Sequence, residues 1–123
     1  MWATDVCVPI SRLAECITET RKDIDETGLL APIVGHVGDG NFHTVILVED
    51  NNDTQMEKSI AFNERLLQRA LDMGGTITGE HGIGFGKIDY LREEHGGAVD
   101  VMASIKQALD PLNILNPGKI ISL

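Results

Sequence analysis

The chain has 123 residues, enough for a real hydrophobic core, and 19 acidic against 10 basic residues give it a formal charge of −9. That balance argues against nucleic acid, whose binding depends on neutralising phosphates, and against an anionic membrane surface. Only 4 % of the residues are aromatic, so the core must be aliphatic. No apolar run approaches the roughly 20 residues needed to cross a bilayer, and Met1-Trp2-Ala3-Thr4-Asp5 lacks the basic and apolar regions of a signal peptide. Cys7 and Cys16 have no CxxC spacing and read as buried thiols of a reducing cytoplasm.

In chain order, residues 4–10 form a β-prone run, with Pro9 marking its end or an edge position. Ser11 is a candidate N-cap. Leu13, Cys16, Ile17, Thr20 and Ile24 then follow at helical spacing to a stop at Gly28, predicting a helix over 12–27. Residues 31–37 and 41–48 read as hairpin arms around Asp39-Gly40, a strong two-residue turn signal. Pairing outward from that centre sets His36 opposite His43, with Val34, Val45 and Leu47 on the same face. Ile33, Val37, Phe42, Ile46 and Val48 lie on the other. Both faces are apolar, so helices should cover one and something else the face bearing the histidines.

Thr54-Gln55-Met56-Glu57 has the form of a capping box. The helix it opens should bury Met56, Ile60, Leu67 and Leu71, supported by Leu66 and Ala70, and end at Gly74-Gly75. Thr76-Ile77-Thr78 reads as a short strand leading into a loop of four glycines, residues 79–87. A short helix is expected over 89–94 and a last one over 98–109, with Val101, Met102, Ile105 and Leu109 inward. Ile120-Ile121 could add a final strand. The order β-α-β-β-α-β with a helical tail is that of an α+β, ferredoxin-like single domain. It implies a four-stranded antiparallel sheet, two helices on one face, and an extra C-terminal helix.

Two clusters can carry chemistry. Directly paired side chains stand about 5 Å apart at Cβ, so His36 and His43 can reach one metal ion at about 2.0–2.1 Å each. Glu80-His81 sits between Gly79 and Gly82, where the backbone must bend or let a ligand approach. Glu80 offers a third, carboxylate ligand and His81 a base near neutral pH. The loop does not hold phosphates. Gly82-Ile83-Gly84-Phe85-Gly86-Lys87 lacks the last glycine of G-x-G-x-x-G. It also lacks the upstream glycine and the following Ser or Thr of a Walker loop.

Gly35-His-Val-Gly-Asp-Gly-Asn-Phe-His43, Gly79-Glu-His-Gly-Ile-Gly84 and Asn116-Pro-Gly-Lys119 together resemble the C-terminal region of FAD-linked oxidases of the vanillyl-alcohol-oxidase-like superfamily. Thr4-Asp-Val-Cys-Val-Pro-Ile-Ser-Arg-Leu13 looks most like the D-lactate dehydrogenase (cytochrome) branch, near the flavoprotein component of glycolate oxidase and D-2-hydroxyglutarate dehydrogenase. The resemblance implies a divalent metal, often zinc, on His36, His43 and Glu80. It implies His81 as the base that takes the hydroxyl proton of a D-2-hydroxy acid while C2 hydride passes to FAD. It places Asn116 near the flavin and Asn41 in support of the metal site. It also implies a separate FAD-binding domain outside these residues, without which the chain would be inactive and its apolar face prone to self-association. The hydroxy acid and the electron acceptor (cytochrome, quinone or transfer flavoprotein) stay open. The competing expectations are a stand-alone metal-dependent hydrolase and a non-enzymatic ferredoxin-like module.

Overall fold

The computed structural model describes residues 1–122. The chain divides into two compact units, Met1–Glu80 and His81–Leu123. The first has strands β1 (Trp2–Ala3) and β2 (Val6–Cys7), helix α1 (Ile10–Thr27), strand β3 (Ile33–His36), strand β4 (Asn41–Ile46) and helix α2 (Asp53–Asp72). The second has helices α3 (Ile88–His95) and α4 (Ala98–Leu109).

The sheet is antiparallel and built around β4. One edge of β4 pairs with β3, the other with β1 and β2. The expected first strand is interrupted at Thr4-Asp5, but the ladder carries through, since Thr4 N–H donates to the Thr44 carbonyl at 2.9 Å. The Thr4 and Thr44 hydroxyls also meet at 2.8 Å. The expected strand at 76–78 is a single bridge, Thr76 to Cys7, closed by bonds of 2.8 and 3.2 Å. The resulting strand order is that of the ferredoxin-like α+β class.

The hairpin register differs from the one centred on Asp39-Gly40. His36 pairs with Asn41 and Val34 with His43. Residues 37–39 coil into a 3-10 turn ended by Gly40 at φ +75°. A two-residue type I′ turn needs positive φ at both central residues, and here Asp39 does not have it. Gly40 is fixed twice over, because a Cβ there would also strike the Val8 carbonyl. The slip is two residues, and side chains alternate with a period of two. His36 and His43 therefore stay on one face as diagonal neighbours. Phe42, Thr44 and Ile46 point the other way and are buried, with Phe62, Leu66 and Leu67 of α2 in the same core. Val34, at 53 % exposure, and Leu47, at 42 %, leave the histidine face open.

The helices follow the expected spans with corrected ends and phase. α1 starts at Ile10 with Pro9 in the cap position, so Ser11 lies inside the first turn and caps nothing; Gly28 ends it as expected. α2 is capped by Asn52, whose side chain accepts from Gln55 N–H at 3.0 Å. Asn is a stronger cap than Thr, and it displaces the Thr54 box. The buried stripe of α2 is Ser59, Phe62, Asn63, Leu66, Leu67 and Ala70, while Met56 and Ile60 are exposed. Two apolar stripes compete on this helix, and the one carrying the large aromatic ring wins the core. Across the helix pair, Asp23 of α1 accepts from Arg65 Nη2 at 2.6 Å and from Arg69 Nη2 at 3.1 Å. Burial raises the Asp23 pKa, but the hydrogen bonds from Arg65 and Arg69 outweigh it and hold the carboxyl below its ordinary value.

In the second unit, Arg92 of α3 pairs with Asp100 of α4 at 2.7 Å. Asp110 closes α4 by accepting from Lys106 and from the Ile114 and Leu115 N–H groups. Val99 is the buried residue of α4. Val101, Ile105 and Leu109, expected inward, are exposed. Residues 120–121 form no strand. Ile120 takes φ +69° while its N–H donates to the Gly84 carbonyl.

The phase of α2 makes Leu66→Ala cost about 2–5 kcal/mol and Ile60→Ala less than about 1 kcal/mol in denaturant unfolding; equal costs would contradict the assignment. Because the folded Asp23 pKa is lowered, its contribution is present above the unfolded carboxyl pKa and lost as pH falls through the folded value. Asp23→Asn is expected to cost about 1–3 kcal/mol near neutral pH and to flatten the acid side of the stability profile. An unchanged acid limb would count against this pairing.

Candidate metal centre

The first unit gathers three side chains that offer ligand atoms on the open sheet face. His36 stands at the end of β3, His43 in β4 and Glu80 after the Thr76 bridge. Glu80 Oε1 lies 3.0 Å from His43 Nε2 and 3.7 Å from His36 Nε2. The imidazole rings meet edge to face with centroids 6.2 Å apart. One ligand atom from each residue falls within 4.8 Å of the others. A tetrahedral ion with bonds of about 2.0–2.1 Å separates its ligand atoms by about 3.3 Å. The observed separations bracket that value, and His36 and Glu80, both at least half exposed, have room to close on an ion. Two imidazole nitrogens and a carboxylate are a donor set suited to zinc, so the residues fit the group.

His43 is the fixed member. Its side chain is 9 % exposed, and Nδ1 lies 3.0 Å from the Thr4 carbonyl. A carbonyl can only accept, so Nδ1 is the donor to Thr4, and Nε2 is the nitrogen that faces Glu80. A ring nitrogen 3.0 Å from a carboxylate oxygen is a spacing that either a shared proton or a shared metal ion satisfies. Orientation of a ligating histidine by a backbone carbonyl is the usual device for metal binding.

Asn41 is the ladder partner of His36, and its side chain turns to the neighbouring strand. Its Nδ2 donates to Asp5 Oδ1 at 2.8 Å and to the Val6 carbonyl at 2.9 Å, which fixes the amide, and its buried Oδ1 has no hydrogen-bond partner among the described residues. Gly79 must be glycine because a Cβ there would collide with that amide. Asp5 is the residue that sequence reasoning passed over. It is 1 % exposed, and its Oδ2 accepts from Thr78 Oγ1 at 2.8 Å and from the Gly79 and Glu80 N–H groups at 2.9 Å each. The available signal was an acid inside an apolar β-prone run, a charge that needs several donors if the run is buried.

His81 is the first residue of the second unit. Asn116 also belongs to that unit, in a left-handed turn at φ +48°. It lines a cavity of about 300 Å³ with Leu109, Leu115, Lys119 and Ile120. Cys16 is buried as expected, whereas Cys7 is half-buried; both are free. Burial raises both thiol pKa values, and Asp5 and Asp39 add to the effect at Cys7.

Residues 1–120 match the family model described as FAD linked oxidases, C-terminal domain. The chain is 52 % identical over 123 residues to "Probable D-lactate dehydrogenase, mitochondrial" of Danio rerio, an alignment that covers 99 % of this chain and 25 % of the relative. It is 47 % identical over 119 residues to "D-lactate dehydrogenase [cytochrome], mitochondrial" of Arabidopsis thaliana, covering 96 % and 21 %. It is 36 % identical over 117 residues to "Glycolate oxidase subunit GlcD" of Bacillus subtilis, covering 94 % and 25 %. The chain thus spans a quarter or less of the length of these relatives. With a match that runs through both compact units, the chain belongs to the C-terminal domain family of FAD-linked oxidases.

Proposed function

We propose that the chain is the metal- and substrate-bearing part of an FAD-dependent D-2-hydroxyacid dehydrogenase of the D-lactate type, which converts a 2-hydroxy acid to a 2-keto acid. The observation that carries this reading is the convergence of His36, His43 and Glu80 on one sheet face. In this reading the three side chains hold a divalent cation, zinc in the simplest case. When bound, that ion supplies a Lewis acid that lowers the pKa of the substrate hydroxyl and orients its carboxylate. FAD, held by polypeptide outside these residues, supplies the hydride acceptor.

The chain's own residues supply the rest. The Thr4 carbonyl holds His43 by Nδ1 and so keeps Nε2 directed at the site. His81, joined to Glu80 by a peptide bond, takes the hydroxyl proton as the C2 hydride departs, so the substrate loses two electrons and two hydrogens as a hydride and a proton. Asn116 is assigned to the flavin side of the reaction. The exposed Val34 and Leu47 form the wall that the flavin-bearing polypeptide covers. Left uncovered, that wall would favour association between copies of the chain. Free cysteines suit a reducing compartment, whether the cytoplasm or the mitochondrion named for two of the relatives. No helix among the described residues is long and apolar enough to cross a membrane.

The test is a chimera in which this chain replaces the matching C-terminal quarter of the Danio rerio relative. D-Lactate-dependent dye reduction is expected, with a loss of at least 100-fold for His36→Ala or Glu80→Gln. For His81→Asn, kcat should fall about 10²–10⁴-fold while zinc content is retained. A folded, FAD-loaded chimera inactive on D-lactate and on other short 2-hydroxy acids would overturn the reading.

A further inference from the structure

We infer that Asp5 is a positioning residue for this centre, a buried carboxylate that ties the Glu80 backbone to the strand pair carrying His36 and His43. The inference rests on the metal reading given above. The contacts of the two Asp5 oxygens carry it. On one side, Oδ2 gathers Thr78 Oγ1, Gly79 N–H and Glu80 N–H at 2.8–2.9 Å, which fixes the backbone from which the Glu80 side chain departs. On the other, Oδ1 accepts from Asn41 Nδ2 at 2.8 Å, and Asn41 is the direct ladder partner of His36. The same Oδ1 lies 3.6 Å from His43 Nδ1, so the carboxylate also borders the inner edge of that ring. Glu80 and His43 therefore adjoin a single carboxylate, and His36 is joined to it through Asn41.

The chemistry explains why an acid is needed. Successive N–H groups at Gly79 and Glu80 and a hydroxyl at Thr78 converge on one oxygen, and an ionised carboxylate accepts all three with charge-assisted strength. An amide in its place presents one accepting oxygen, and its NH₂ group would face the Asn41 amide or the backbone N–H groups. The break between β1 and β2 falls at Thr4-Asp5, and there the Asp5 side chain turns to the 78–80 segment. A merely structural acid also exists in this unit: Asp23 is buried and paired with two arginines, with no contact to the ligands.

The contrast between those two acids is the experiment. Zinc affinity of the 123-residue chain is measured by competition with a chromophoric chelator for wild type, Asp5→Asn, Thr78→Val and Asp23→Asn. Amide hydrogen exchange at Gly79 and Glu80 is followed by NMR. Asp5→Asn is expected to weaken zinc binding 10–100-fold, the usual effect of removing a group that orients a ligand, and to strip protection from both amides. Thr78→Val should weaken binding severalfold. Asp23→Asn should lower Tm and leave zinc affinity unchanged. The inference is overturned if Asp5→Asn binds zinc as wild type does. It is also overturned if the Gly79 and Glu80 amides are unprotected in wild type, a result available even if Asp5→Asn fails to fold. If wild type takes up no zinc while those amides are protected, the metal reading fails and the Asp5 clamp stands.

Discussion

The site depends on a buried carboxylate that would be costly anywhere it was not surrounded by donors. Asp5 is removed from water in a strand that also helps build the core, next to the fully buried Val6. An unpaired charge there would not be tolerated, so the surrounding chain is constrained to supply N–H and O–H groups. It does so from the 78–80 segment and from Asn41. That constraint brings a loop some 75 residues downstream onto the strand pair. It also explains the glycine at 79, where a side chain would displace the Asn41 amide. In the metal reading proposed above, a stabilising interaction and a ligand-positioning one are the same set of bonds.

Much of the fold could be read in the sequence because periodicity reports faces more robustly than ends. The histidine pair shows this. The Asp39-Gly40 turn signal gave a register two residues from the observed one, yet an even slip preserves the face, and His36, His43 and Val34 lie where alternation put them. The misread turn reflects one positive φ at Gly40 where two were assumed, together with the contact of Gly40 with Val8. On α2 the expected Leu66, Leu67 and Ala70 are buried, while Met56 and Ile60 of the first turns are not; there only tertiary packing chooses the stripe with Phe62. The caps at Ser11 and Thr54 were displaced by neighbours better placed or better suited, Pro9 and Asn52.

The three side chains that converge were legible in the sequence, and the residues that support them were not. His36, His43 and Glu80 stand out because histidines and an acid beside glycines are unusual in turns, and they converge as expected. Asp5 did not stand out because its donors are backbone groups and a threonine far along the chain, invisible to local patterning. Outward-facing Val101, Ile105 and Leu109 on α4 look like core positions for a related reason: a sequence pattern records that a face is apolar, not which partner covers it. The open histidine face belongs to the same class, and relatives about four times as long as this chain give such faces a natural partner in the reading proposed above.

Whether His36, His43 and Glu80 form one metal centre is tested most directly by zinc K-edge absorption on the zinc-loaded chain. A first shell of nitrogen and oxygen at about 2.0–2.1 Å is expected, with outer-shell scattering from two imidazoles that falls to one in His36→Ala. A sulfur shell at about 2.3 Å, which would place the ion on Cys7 or Cys16, or a spectrum unchanged by His36→Ala, would contradict it.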